Sequence, residues 1–183
     1  MPHPTVIAIN SISGGGKTAI ANALGEKLSS AQIYHFDDFD ETNIYPDDFV
    51  AWCKRGADVE EFDFPEMRNT VRKCCINGEA EHVVLDYPFG RLHPYFCDLI
   101  THSIYIDTPF DIAMARRILR DYLSHDRETN QAHGKLKEEL TSYLSSIRDV
   151  YLHSHQRFRE EADFVLDGTL PLDQLANETL IKL

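Results

Sequence analysis

The stretch that decides the fold is Thr5-Val6-Ile7-Ala8-Ile9-Asn10-Ser11-Ile12-Ser13-Gly14-Gly15-Gly16-Lys17-Thr18. A β-branched run typical of a buried strand stops at three glycines, and a helical pattern follows the Lys-Thr pair. In this order the backbone N–H groups of the loop and the N-terminus of the helix can surround a phosphate group. The stretch therefore predicts a phosphate-binding loop for a nucleoside triphosphate, formed by Ser13, Gly14, Gly15, Gly16, Lys17 and Thr18.

Two side chains of this loop have expected roles. Lys17 would reach the β- and γ-phosphates, and the hydroxyl of Thr18 would ligate Mg²⁺. The pattern G-x-x-x-x-G-K-[ST] has its first glycine at position 11, where this chain has Ser11. We expect the Ser11 side chain near the phosphate, at a site where glycine would serve as well. The alternative is a Gly-rich turn between a strand and a helix, with a chance Lys-Thr after it.

Length and charge bound the class of protein. The chain has 183 residues, 43% hydrophobic and 26% charged, which suits one globular domain. Its formal net charge of -12 argues against a nucleic-acid partner. Its four cysteines form no C-x-x-C pair and are expected to be free thiols. With no signal-peptide pattern and no transmembrane run, we expect a cytoplasmic protein without a membrane partner, and a homo-oligomer stays possible.

Short apolar runs alternate with helical patterns along the chain. This alternation predicts an α/β fold with a five-stranded parallel sheet flanked by helices. Helices are expected at about 17–28, 109–123, 135–158 and 172–183. The expected strands are Thr5–Asn10, Gln32–His35, His82–Asp86, His102–Asp107 and Ala162–Leu166.

Carboxylates follow two of the expected strands. Asp37 and Asp38 come directly after the second strand, and Asp86 ends the third. Because ligands of open α/β sheets bind beyond the carboxyl ends of the strands, these acids share an edge with the phosphate loop. One of the adjacent acids could act as general base for an attacking hydroxyl, and Asp86 would hold Mg²⁺ with Thr18 and Asp37. Solvated acidic turns are the alternative.

The helix expected at 109–123 contains the segment Arg116-Arg117-Ile118-Leu119-Arg120-Asp121. Arg117 and Arg120 are three residues apart, and Arg116 and Arg120 are four apart, so each pair shares a helix face. Arginines suit a transferring phosphoryl group, whose charge is spread over three oxygens. We expect Arg117 and Arg120 to be catalytic. A charged helix face in water is the alternative.

The segment after the third expected strand is aromatic, with the sequence Tyr87-Pro88-Phe89-Gly90-Arg91-Leu92-His93-Pro94-Tyr95. It could line a pocket for a phosphoryl acceptor, with Tyr87, Arg91 and His93 in contact with the substrate. It could equally be an edge of the core, and both interpretations stay open.

Taken together, these segments resemble the uridine kinase and phosphoribulokinase group of P-loop kinases, which includes the nicotinamide riboside kinases. Asp37-Asp38-Phe39 is similar to the group's D-x-F(Y) segment, whose first Asp is the proposed base. Glu61-Phe62-Asp63-Phe64-Pro65-Glu66 is similar to N-F-D-H-P-D, which implies that Asp63 contacts ribose hydroxyls. Residues 116–121 match the R-R-x-x-R-D motif of the lid helix.

The chain departs from this group at four places. Ser11 replaces the loop glycine, Asp86 stands where many members have Glu, and Phe64 replaces the His of F-D-H-P. The R-G pair that follows R-D in the group is absent, and Arg127 is the candidate substitute.

The resemblance implies a kinase that uses ATP and Mg²⁺ to phosphorylate a hydroxyl of a small molecule, first of all a nucleoside. The substrate would contact Asp38, Asp63 and the aromatic segment, while Arg127 and the two catalytic arginines close over the γ-phosphate. Residues 1–183 would form a single P-loop kinase domain with a helical lid at about 124–134 and an acceptor-side insert at about 39–78. The alternatives are a kinase for another small hydroxyl metabolite or a nucleoside monophosphate, and a nucleotide-binding switch or ATPase without acceptor.

Overall fold

A five-stranded parallel sheet forms the centre of the molecule. The structure is a computed structural model that describes residues 3–123 and 130–183. The strand order is β2-β3-β1-β4-β5. The strands are Thr5–Asn10 (β1), Ala31–His35 (β2), His82–Asp86 (β3), His102–Asp107 (β4) and Phe164–Asp167 (β5). The predicted α/β fold with five parallel strands is confirmed, although β2 begins one residue earlier and β5 two residues later than predicted.

Helices cover both faces of the sheet. They are Lys17–Lys27 (α1), Phe49–Lys54 (α2), Pro65–Asn77 (α3), Phe110–Tyr122 (α4), Asn130–Ser142 (α5), Arg148–Glu161 (α6) and Leu172–Lys182 (α7). A π-helical turn at Tyr143–Ile147 joins α5 to α6, and 3₁₀ turns lie at Phe36–Phe39 and Val59–Glu61. Within the two described ranges, no helix is long and apolar enough to span a membrane.

Two helices differ from the prediction. The helix expected at 135–158 begins at Asn130, so residues 130–134, which the sequence placed in the lid, form the start of α5. Residues 124–129, including Arg127, lie outside the described residues. The insert contains the unpredicted helix α3, which begins at Pro65, a favourable first-turn residue, and ends at Gly78 with a φ of 63°.

The two faces of the sheet pack against different partners because side chains alternate along a strand. Ile7 and Ile9 of β1 lie in a core with α1 and α7. Val6 and Ala8 lie in the other core, which contains α3 and the aromatic side chains of the insert. The insert therefore covers the second face of the sheet and extends to its carboxyl edge, where the cleft described below lies.

Candidate active site

The phosphate loop requires glycine for reasons of geometry. Gly14 has a φ of 82°, and a Cβ atom there would lie 2.2 Å from the carbonyl oxygen of Ala113 on α4. A Cβ atom on Gly15 would lie 1.7 Å from the Ser11 Oγ. Because neither position has room for a side chain, the loop lies tightly between the end of β1 and α4.

Ser11 connects the phosphate loop to strand β4. Its side chain is buried, and its hydroxyl donates a 2.8 Å hydrogen bond to the carbonyl of Ile106 on β4. Next to it, the Thr108 hydroxyl donates a 2.8 Å hydrogen bond to the carbonyl of Gly15. The hydroxyl of Ser11 therefore joins the loop to β4, a contact that glycine at position 11 would not make.

Lys17, Thr18 and Asp86 meet at the carboxyl edge of the sheet. The Thr18 hydroxyl donates to Asp86 Oδ2 over 2.6 Å, and the Nδ1 atom of His35 lies 3.0 Å from the same oxygen. Burial lowers the pKa of Lys17, while Asp86 and then Asp37 act to raise it. His35 was missed in the sequence, although strand register places it directly opposite Asp86.

The oxygen atoms at this edge suit Mg²⁺. Mg²⁺ is usually held by one or two carboxylates, together with waters and substrate phosphates. The Asp86 carboxylate and the Thr18 hydroxyl supply such ligands, and the Asp37 carboxylate lines the same cleft. Among the residues that the structure describes, no group of three or more His, Cys, Asp or Glu could hold a metal by itself.

The adjacent acids after β2 differ in position. Both Asp37 and Asp38 are exposed and belong to the 3₁₀ turn at 36–39. Asp37 lines the cleft and Asp38 does not. A general base must lie within reach of the reacting hydroxyl, so the geometry favours Asp37 for that role.

The three arginines of α4 also separate. Arg116 and Arg120 line the cleft. Arg117 instead pairs with Glu139 of α5 and donates a 2.6 Å hydrogen bond to the hydroxyl of Tyr151 on α6. Contrary to the expectation from its helical spacing, Arg117 does not face the cleft in this structure, because its guanidinium joins α4 to α5 and α6.

His93 and Tyr87 are structural. His93 is 1% exposed; its Nδ1 accepts from the backbone N–H of Tyr95, so Nε2 carries the proton and donates to the carbonyl of Phe62 over 3.0 Å. Burial lowers the pKa of His93. Tyr87 is fully buried, and burial raises its pKa. The expectation that both residues contact substrate is wrong, because the core encloses them.

Arg91 and Asp63 also lie away from the cleft. Arg91 pairs with Asp163 at 2.7 Å and donates to the carbonyl of Thr101, which precedes β4 and therefore lies at the opposite edge of the sheet. Asp63 accepts a 2.5 Å hydrogen bond from the hydroxyl of Tyr95. Neither residue lines the cleft, so the structure does not bring them to the expected substrate position.

A cleft of about 640 Å³ runs from the phosphate loop into the insert. Pro88 and Phe89 are the two residues of the predicted aromatic segment that line it. Most of the residues that line the cleft were not predicted from the sequence, although the aromatic residues of segment 39–56 could have indicated them. The aromatic side chains of this wall are Phe36, Tyr45, Phe49, Trp52, Phe62, Phe89 and Phe158.

A second missed group lies beside the loop. The Tyr105 hydroxyl is 2.8 Å from Nδ1 of His155, and both residues line the cleft. Nε2 of His155 lies 3.9 Å from Asp107, which also pairs with Arg159. Burial raises the pKa of Tyr105, so its hydroxyl stays protonated. This group connects α6 to the end of β4.

Comparison with known proteins agrees with this geometry. No protein-family model matches the chain. The uridine kinase of Staphylococcus epidermidis is 22% identical over 91% of this chain and 88% of that protein. In sequence the chain is therefore similar to uridine kinases. The chain is also 26% identical to the uridine kinase of Saccharomyces cerevisiae, over 68% of this chain and 30% of that protein.

The chain has the fold of the P-loop kinases. The crystal structure of shikimate kinase from Bacteroides thetaiotaomicron superposes on it with a TM-score of 0.59 at 16% identity. The superposition covers 98% of this chain and 99% of the shikimate kinase. At this level of identity the likeness concerns the fold.

Proposed function

We propose that the chain is a kinase that transfers the γ-phosphoryl group of ATP to a hydroxyl of a small molecule, with a nucleoside as the first candidate. The observation that carries this proposal is that Lys17, Thr18, Asp37 and Asp86 line the same cleft as the aromatic side chains of the insert. A phosphate loop alone would serve an ATPase. The carboxylate of Asp37, which lines the same cleft, would supply the base that an acceptor hydroxyl needs.

Each residue has a defined part in the proposed transfer. The loop N–H groups and Lys17 hold the phosphates of ATP, and Thr18 and Asp86 hold Mg²⁺, which neutralises phosphate charge when bound. The Asp37 carboxylate accepts the proton of the acceptor hydroxyl. At the same time the oxygen of that hydroxyl bonds to the γ-phosphorus. The bond between the γ-phosphorus and the bridging oxygen breaks, and ADP leaves with that oxygen. Arg116 and Arg120 stabilise the charge on the transferring group.

The proposed cellular setting follows from charge and cysteines. Cys53, Cys74, Cys75 and Cys97 are free thiols in the structure, which supports a reducing compartment and hence the cytoplasm. The net charge of -12 supports a small-molecule partner over a nucleic acid. No membrane partner is proposed, and self-association is left to a measurement of molecular mass in solution.

A test of this function separates nucleotide binding from transfer. ATP and Mg²⁺ at 100 times the Kd should stabilise the protein by about 2.7 kcal/mol, which a thermal-shift measurement detects. ADP release should then rise on addition of a nucleoside. Stabilisation by ATP with a slow ADP release that no hydroxyl compound changes would favour a nucleotide switch or ATPase. Turnover only with a nucleoside monophosphate or another hydroxyl metabolite would keep the kinase and change its acceptor.

A further inference from the structure

The cleft has a charged end and an uncharged end. Its charged side chains lie in the phosphate loop, at the carboxyl ends of strands and on α4: they are Lys17, Asp37, Asp86, Arg116 and Arg120. The remainder of the wall comes from Phe36 of the 3₁₀ turn at 36–39, the insert, the segment after β3, the π-helical turn and α6, together with Tyr105 of β4. In that part, among the described residues, the lining side chains are aromatic or aliphatic, apart from Ser154 and the imidazole of His155.

The aromatic wall is a rigid surface. The ring centroids of Trp52 and Phe62 are 5.4 Å apart, and those of Phe62 and Phe89 are 4.7 Å apart. These three side chains are at most 8% exposed. Phe49 also lines the cleft, is 41% exposed, and contacts Trp52 and Phe62. A flat ligand can therefore pack against rings that are already in place.

The polar atoms of Trp52 and Tyr45 in this wall are already bonded within the protein. The indole N–H of Trp52 donates to the carbonyl of Asp58 over 2.7 Å, and the hydroxyl of Tyr45 donates to Asp40. Asp63, the residue expected at a ribose, accepts its hydrogen bond from Tyr95 and does not line the cleft. Among the described residues, no Lys, Arg, Asp or Glu side chain lines this part of the cleft, so a charged group placed here would lose its water without gaining an opposite charge.

We propose that the acceptor is an uncharged alcohol with a flat aromatic body, recognised by this wall and not through a ribose diol. The inference rests on the proposed kinase function, which places the reacting hydroxyl of the acceptor at Asp37. The inference adds the chemical class of the rest of the acceptor molecule. It predicts that a nucleoside and its 2′-deoxy counterpart are equivalent acceptors, and that an acceptor bearing a carboxylate is excluded.

The chain contains a direct probe of this pocket. Trp52 is its single tryptophan and lines the pocket, so intrinsic fluorescence reports occupancy without any turnover. We expect uridine and 2′-deoxyuridine to change the emission with Kd values within about threefold of each other, and shikimate, an alcohol with a carboxylate, to leave it unchanged. Tenfold tighter binding of uridine than of its deoxy form, binding of shikimate, or no response to either nucleoside would overturn the inference.

Two variants locate the contacts. Phe49→Ala should weaken acceptor binding about tenfold, a typical scale for loss of one aromatic contact, and leave the KM for ATP unchanged. Phe49→Tyr should restore binding, and Ile76→Ala, which removes an 80%-exposed side chain of α3 away from the cleft, is the matched control. Asp63→Asn should leave the ratio of the two Kd values unchanged. A selective loss of uridine binding in Asp63→Asn would place Asp63 at the sugar and contradict the inference.

ADP release, measured in parallel, keeps the two proposals distinct. Fluorescence changes of equal size for both nucleosides without any acceptor-dependent ADP would contradict the kinase function while retaining the binding surface. Acceptor-dependent ADP release that requires the 2′-hydroxyl would retain the kinase and overturn the inference.

Discussion

Thr18 and Asp86 are joined by a 2.6 Å hydrogen bond between the phosphate loop and the end of β3. The bond joins two oxygen atoms from different secondary-structure elements that line the same cleft. It also holds the first turn of α1 against the sheet, so the proposed metal site and the loop are positioned together.

Asp86→Asn should therefore impair Mg²⁺ use before it impairs folding. The amide keeps the shape of the side chain and removes the charge that a hard cation prefers. We expect the Mg²⁺ concentration for half-maximal activity to rise at least about tenfold, since even outer partners of metal ligands change metal affinity by that much. Asp107→Asn is the matched control, because Asp107 ends β4 at the same edge and does not line the cleft. Equal Mg²⁺ dependence in the two variants would remove Asp86 from the metal site.

Ser11→Gly should destabilise the protein. The variant removes a buried hydroxyl that donates to Ile106, and one such hydrogen bond is worth about 1 kcal/mol. Urea unfolding measures the change, with Ser145→Ala on an exposed helix surface as the control. A variant as stable as the parent protein, with better nucleotide binding, would show that the Ser11 hydroxyl has no supporting role.

Arg117 and Arg120 should give opposite results when each is replaced by Ala. Arg117→Ala removes the contacts to Glu139 and Tyr151 and should cost about 1–2 kcal/mol of stability. Arg120→Ala should leave stability unchanged and lower kcat on the order of 10²-fold, the scale of a lost charge contact in a transition state. Unfolding curves and steady-state kinetics on both variants decide between these roles. A kcat effect confined to Arg117→Ala would restore it as the catalytic arginine.

His93 should make folding sensitive to mild acid. Burial holds its pKa below the ordinary value of 6.5, so at lower pH the unfolded chain takes up a proton that the folded protein does not. The free energy of unfolding therefore rises with pH in this window, and this contribution is lost as pH falls below about 6.5 toward the lowered pKa. Unfolding measured between pH 7 and pH 5 should show a shallower pH dependence for His93→Gln than for the parent protein. Parallel curves would contradict this role.

How far the sequence predicts this structure depends on how local each signal is. The strand-glycine-Lys-Thr order of residues 5–18 is local, and it predicted the loop and the first strand and helix. The direction of Arg117 depends on Glu139 and Tyr151 on other helices, which helical spacing does not reveal. Asp63 is a similar case, because its partner Tyr95 is distant in sequence. The aromatic wall of the cleft is assembled from three separate segments. The composition of the sequence therefore indicated that aromatic residues are present, but not that they meet in one cleft.

The most direct test of the proposed kinase compares two adjacent carboxylates. Asp37 and Asp38 are both exposed in the same turn, and Asp37 alone of the two lines the cleft. Acceptor-dependent ADP release, measured with saturating ATP and Mg²⁺, should fall at least about 10²-fold in Asp37→Asn, the scale of a general base, and less than about tenfold in Asp38→Asn. ATP should still stabilise both variants. An unchanged rate in Asp37→Asn, or ADP release that no acceptor stimulates in the parent protein, would contradict phosphoryl transfer at this site.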